Sequence, residues 1–216
     1  MAKELHRDLS KLKDEVLEMG HLCLDMLDKS MQSLATQDSR LANEVVSKKD
    51  IIRKFDTEIE AKALKLIALY QPMAIDLRRL AAILKIITYL TRIGRYGKDI
   101  ASYVEELSEK PYPASFVNIQ HMWDHVKTMI QDSLQAFEQS DIKLLKDFVN
   151  RDNEVDEMRW SIFRESLTYM IEDPKVITPC AFFMIISRYL ERCADNACKI
   201  AEKVHYMVTG EHIEIT

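Results

Sequence analysis

Apolar residues recur along this chain at helical spacing. From Leu5 they step through Leu9, Leu12, Val16, Met19, Cys23 and Met26, alternating four and three. That is the 3.5-residue seam of a long helix packed nearly parallel to its neighbours. Asp38 is placed to cap a second helix, whose Ile52, Phe55, Ile59 and Leu66 share one stripe until Gln71-Pro72 ends it. A third begins near Ala74 and is apolar on two faces, with Leu77, Leu80, Leu84 and Ile87 on one and Ile83, Ile86, Leu90 and Ile93 on the other. A helix of that kind sits inside a bundle.

Pro111 and Pro113 interrupt the pattern, which then restarts. A fourth helix is expected from about Ser115 to Gln139, a fifth from Asp141 to Ile171 and a sixth from about Lys175 to Thr209, where Gly210 takes the position a helix C-cap favours. The restart is a repeat. A shift of 103 residues places Met26 on Met129, Ser30 on Ser133, Gln32 on Gln135, Asp38 on Asp141, Leu41 on Leu144 and Val46 on Val149. A shift of 100 places Tyr89-Leu90 on Tyr189-Leu190, Arg92 on Arg192 and Ile100-Ala101 on Ile200-Ala201. The second copy is therefore shorter in a connection, where deletion is tolerated. The chain reads as all-α, two tandem antiparallel three-helix bundles, with repeats over 1–110 and 114–216. Whether they stack as a pair or merge into one core is open at this stage.

Composition supports helix and excludes several functions. Only 4 Gly and 5 Pro occur in 216 residues. The net charge of −5, from 30 Lys and Arg against 35 Asp and Glu, is mixed along the chain, so no phosphate-backbone stripe is present and nucleic acid is not an expected partner. Cys23, Cys180, Cys193 and Cys198 form no CxxC pair and read as reduced, mostly buried side chains. The N-terminus is charged and lacks the apolar stretch of a signal peptide. The longest apolar run, Cys180 to Ile186, is far short of the roughly 20 residues that span a bilayer. These features point to a cytoplasmic protein that reaches a membrane only through a partner.

Candidate chemistry sits on the fifth and sixth helices. Asp152 and Asp156, and likewise Glu191 and Asp195, are spaced i, i+4, so each pair projects from one face. If the helices are neighbours, four carboxylates converge, and a bound cation, a basic neighbour or proton uptake must relieve their repulsion. Oxygen ligands suit a divalent or iron-type metal. The plainer reading is a set of solvated surface acids. His121 and His125 in HMWDH have zinc-ligand spacing but no third ligand in the sequence, and read as a surface pair. No Gly-rich phosphate loop, GxSxG elbow, Cys-His dyad or paired ExxH motif appears, so an enzyme is not expected.

The segment RYLERCADNACKIAE over 188–202, the terminal VTGE over 208–211, QPMAIDLR over 71–78 and DNEVD over 152–156 together resemble the motifs of the PhoU family. The resemblance covers essentially the whole chain. It implies a pair of three-helix bundles, typically dimeric, acting as a cytoplasmic negative regulator of phosphate uptake and phosphate-responsive signalling. It implies as partners the ATPase of a phosphate ABC transporter and a sensor histidine kinase, and metal clusters on the acidic faces of several members. In this chain Asp152, Asp156, Glu191 and Asp195 match the acidic positions, with Lys199 where the family usually has Asn. In the first half Lys49, Arg53, Thr91 and Arg95 stand at the equivalent places, with Asp99 at the Asn position.

That asymmetry sets the expectations. The second half retains donors for a metal, with Lys199 as the competing counter-charge one turn beyond Asp195. The first half does not retain them. Its basic face suits an anion such as phosphate, or else Arg53 and Arg95 pair with Asp99 and other nearby acids, the plainer of the two. Two alternatives to the phosphate regulator follow: a metal-binding helical bundle, and a PhoU-like regulator of a different transporter.

Overall fold

The computed structural model describes residues 2–108, 110–113 and 116–215. Among them lie eight α-helices: α1 (Ala2–Thr36), α2 (Ser39–Ser47), α3 (Lys49–Tyr70), α4 (Ala74–Ser102), α5 (Val104–Leu107), α6 (Phe116–Gln139), α7 (Phe148–Glu172) and α8 (Ile177–Thr209). No strand occurs among the described residues. None of these helices is long and apolar enough to cross a membrane. The expected starts of the second repeat at 114 and of its first helix at Ser115 lie outside the described residues.

The caps and ends bear out the periodicity. The backbone N–H groups of Arg40 and Leu41 donate to Asp38 Oδ1 at 2.9 and 3.0 Å, and that of Lys143 donates to Asp141 Oδ1 at 2.9 Å. The residues just before these two caps, Gln37 and Ser140, both adopt left-handed backbone, at φ 53° and 52°. They are exact counterparts under the 103-residue shift, so the repeat is visible in the backbone as well as in the side chains. Gly210 closes α8 at φ 82°, which a side chain would strain.

Three boundaries depart from expectation. The second helix is broken at Lys48, which ends α2 and precedes α3. Lys48 Nζ reaches Asp25 of α1 at 2.8 Å, so an ion pair across the bundle anchors the corner. The fifth helix does not start at Asp141, which caps only a 3₁₀ turn, Ile142–Leu145, before α7 begins at Phe148. Ile142 and Leu145, three apart, both pack on the core from that tighter turn. A second 3₁₀ turn, Pro174–Val176, precedes α8. The short α5 has no period long enough to be read from sequence.

Each repeat is an up-down-up bundle with consecutive helices antiparallel: α1, α3 and α4 in the first, α6, α7 and α8 in the second. The third helix of each copy, α4 and α8, also pack against one another, and the buried apolar residues form one continuous core. The two-faced apolar pattern of α4 is explained by this central position. The seam is aromatic: Tyr96 stacks on Tyr189 at 5.4 Å between centroids, and Tyr103 packs on Phe182 at 4.9 Å. A second tie joins α1 to α6, where the Trp123 indole N–H donates to Asp28 at 3.1 Å and Lys127 pairs with the same carboxylate. Within the first repeat Gly97 lets α4 approach α1 closely. A Cβ there would sit 3.3 Å from the backbone nitrogen of Leu27, and the Ser30 hydroxyl donates to the Gly97 carbonyl at 2.7 Å.

Candidate functional site

Helices α7 and α8 lie side by side, which brings their acidic faces together. Asp152, Asp156 and Asp195 line a cavity of about 430 Å³, together with Arg92 and Tyr96 from α4 and Arg192 from α8. Glu191 lies deeper, at 7 % exposure. Arg188 pairs with its Oε1. Its Oε2 is buried and accepts no hydrogen bond, with Arg192 Nε at 4.0 Å.

Burial and mutual repulsion raise three of these carboxyls above the usual range. Asp152 is pushed up mainly by burial, against a pull down from the Cys198 thiol at 3.5 Å. Glu191 is raised by burial and then by the Asp195 charge, with Arg188 opposing. Asp195 is raised by burial, with Arg192 opposing and Asp156 reinforcing the rise. Each acid holds its charge at a cost. Of the four expected acids, Asp152, Asp156 and Asp195 therefore share one cavity, and Glu191 lies within reach of the Asp195 and Asp156 charges.

Their donor chemistry suits a hard cation. Their spacing does not yet form a closed ligand set: among the described residues no three His, Cys, Asp or Glu side chains are gathered as a metal ion requires. The counter-charge also differs from the one expected. Lys199 Nζ lies 2.7 Å from Glu202 Oε1, a buried oxygen that also accepts the backbone N–H of Ile215 at 3.1 Å. Lys199 acts on Asp152 and Asp195 only through space. Direct compensation comes from Arg188 and Arg192, the latter 3.8 Å from Asp195. Sequence reasoning missed both roles, although i, i+3 spacing to Glu191 and Asp195 was the available signal. Arg92 was aligned with Arg192 by the repeat, but its place on this cavity depends on α4 packing against α8.

In the first repeat Lys49, Arg53, Thr91 and Arg95 line the equivalent cavity, about 200 Å³, with Asp56 added. Asp99 is not part of it and pairs with Lys98 at 3.1 Å. The expected pairing of Arg53 and Arg95 with Asp99 is therefore incorrect: among the described residues neither arginine has an acid within 4.0 Å.

The four cysteines are free and buried, and burial raises the Cys23 thiol to about 12, so it is not a thiolate at neutral pH. His121 and His125 meet edge to face at 4.9 Å, and His125 lies 3.5 Å from Glu154.

Comparison with known proteins follows this geometry closely. The PhoU domain matches twice, over residues 16–104 and 119–204, one copy on each repeat. The phosphate-specific transport system accessory protein PhoU homolog of Caulobacter vibrioides is 38% identical over 212 residues, 98% of this chain and 92% of that protein. The homolog from Aquifex aeolicus is 36% identical, covering 98% and 96%. Among solved structures, PhoU from Pseudomonas aeruginosa matches with TM-score 0.90 at 32% identity, over 95% of this chain and 99% of that one. The phosphate transport system regulatory protein PhoU from Streptococcus pneumoniae matches with TM-score 0.89 at 26% identity, over 97% and 99%. With both repeats matched and relatives aligned end to end, the chain belongs to the PhoU family.

Proposed function

We propose that this chain is a non-enzymatic regulator of phosphate uptake and phosphate-responsive signalling. It acts from the cytoplasm, as a homodimer, by binding the ATPase of a phosphate ABC transporter and a sensor histidine kinase. The observation that carries the reading is its end-to-end likeness to proteins named as phosphate-specific transport system accessory proteins. Exposed apolar side chains available for partners support it: Met73, Ile75 and Leu77 at the start of α4, and Trp160 and Ile171 on α7. The four cysteines, buried and with thiols raised by burial, are not poised as nucleophiles, which is in keeping with binding.

Deletion of the gene is expected to raise labelled-phosphate uptake in phosphate-rich medium, with restoration by the intact chain. Unchanged phosphate uptake would overturn the reading. Altered uptake of a different solute would then favour a regulator of another transporter.

One observation favours a second reading, in which the acids of the second repeat take up a divalent or iron-type cation. Glu191 Oε2 is a buried oxygen with no donor, beside carboxyls whose charge burial penalises. Asp152, Asp156 and Asp195 would join it as oxygen donors, and the cation would supply the positive charge that the two arginines give only in part.

A further inference from the structure

The first repeat carries a feature that regulation by protein contact does not use. Lys49 and Arg53 on α3 and Arg95 on α4 line one cavity, and among the described residues none of the three makes an ion pair. Asp56 on the cavity wall does not neutralise them. Burial raises its carboxyl, and the groups acting on it are the Thr91 hydroxyl and Glu60.

A hydroxyl and the start of a helix complete the wall of this cavity. Thr91 Oγ1 is buried on the cavity wall beside the Asp56 carboxyl, whose rise it opposes. Lys49 opens the 22-residue α3 and reaches the cavity from the first turn of that helix. Two guanidinium groups and an ammonium without carboxylate partners, with a hydroxyl beside them, are complementary to a tetrahedral dianion, whose oxygens guanidinium binds bidentately.

We propose that Lys49, Arg53, Arg95 and the Thr91 hydroxyl form a site for a phosphate-type oxyanion, either inorganic phosphate or a small phosphomonoester. The site stands independently of the transport reading and on the opposite repeat from the acidic face.

Calorimetric titration of the full chain at low ionic strength tests it, with inorganic phosphate in one arm and glycerol 3-phosphate in the other. Saturable binding is expected in at least one arm, and the arm that saturates identifies the source. Arg53→Gln with Arg95→Gln should weaken binding by about ten-fold or more. Both arginines are exposed, so thermal unfolding of this variant should match the parent. Asp152→Asn with Asp195→Asn should bind as the parent does. The proposal is overturned if neither phosphate form binds saturably, or if the double arginine variant binds as tightly as the parent.

Discussion

Replacing Phe183 by alanine is expected to destabilise the protein by about 3–5 kcal/mol, the range for a fully buried aromatic side chain. Phe183 on α8 has no solvent exposure. Its ring meets Tyr112 edge to face at 5.1 Å and Phe116 at 5.4 Å, while the Tyr112 hydroxyl donates to the Leu34 carbonyl at 2.9 Å. One side chain therefore joins the end of α1, the connection between repeats, the start of α6 and the central helix α8. Truncation removes transfer energy, leaves a cavity and frees the connection at once. For a chain of this size the melting temperature should fall by about 10–15 °C. Ile171→Ser is the matched control, because Ile171 is 83 % exposed and its loss should stay within about 0.5 kcal/mol. Equal losses in the two variants would contradict the packing scheme.

The acidic face supplies the second large effect, and its sign is opposite. Asp152, Glu191 and Asp195 have raised values in the folded chain. Between the unfolded carboxylate values and those raised values, the folded state binds more protons than the unfolded one. This group's contribution therefore turns against folding as pH rises through that window, and the cost is full above it. Asp25 and Glu44 behave oppositely. The Lys48 and Lys29 contacts hold both carboxyls below the usual range, Asp25 against its burial, so their stabilisation is present above the unfolded values and lost as pH falls. Comparison of the parent with Asp152→Asn plus Asp195→Asn isolates the first set. In chelator at neutral pH the double variant should melt higher than the parent, with a flatter dependence between mildly acidic and neutral pH. Added Mn²⁺ should raise the melting temperature of the parent and leave the variant unchanged, because only a state with the acids intact gains from binding. A variant less stable than the parent in chelator would refute the repulsion. A shift in neither protein would remove the metal reading.

Sequence reasoning reached the architecture because helix ends and stripes are local. Asp38, Asp141 and Gly210 mark boundaries through their own chemistry, and the repeat follows from spacing alone. The break at Lys48 escaped it because a long-range partner, Asp25, holds that corner. The same division runs through the sites. Carboxylates at i, i+4 reveal a shared face, but not which cation answers them. Lys199 stands four residues after Asp195 and three before Glu202, both favourable on a helix. Glu202 won because the chain folding back to Ile215 buries it and shares its oxygen, a contact without periodicity. Asp99 stands four residues after Arg95, a spacing that allows a pair, yet its carboxylate goes to Lys98. Only tertiary structure distinguishes these outcomes.

The claim that this chain works by engaging a phosphate transport system is tested most directly by affinity capture of the tagged, full-length protein from its own cells. Parallel cultures in phosphate-rich and phosphate-starved medium would be compared by mass spectrometry. The account predicts recovery of the ATPase subunit of a phosphate ABC transporter, more strongly from phosphate-rich cells. Recovery of no transport or signalling component from either culture would contradict it.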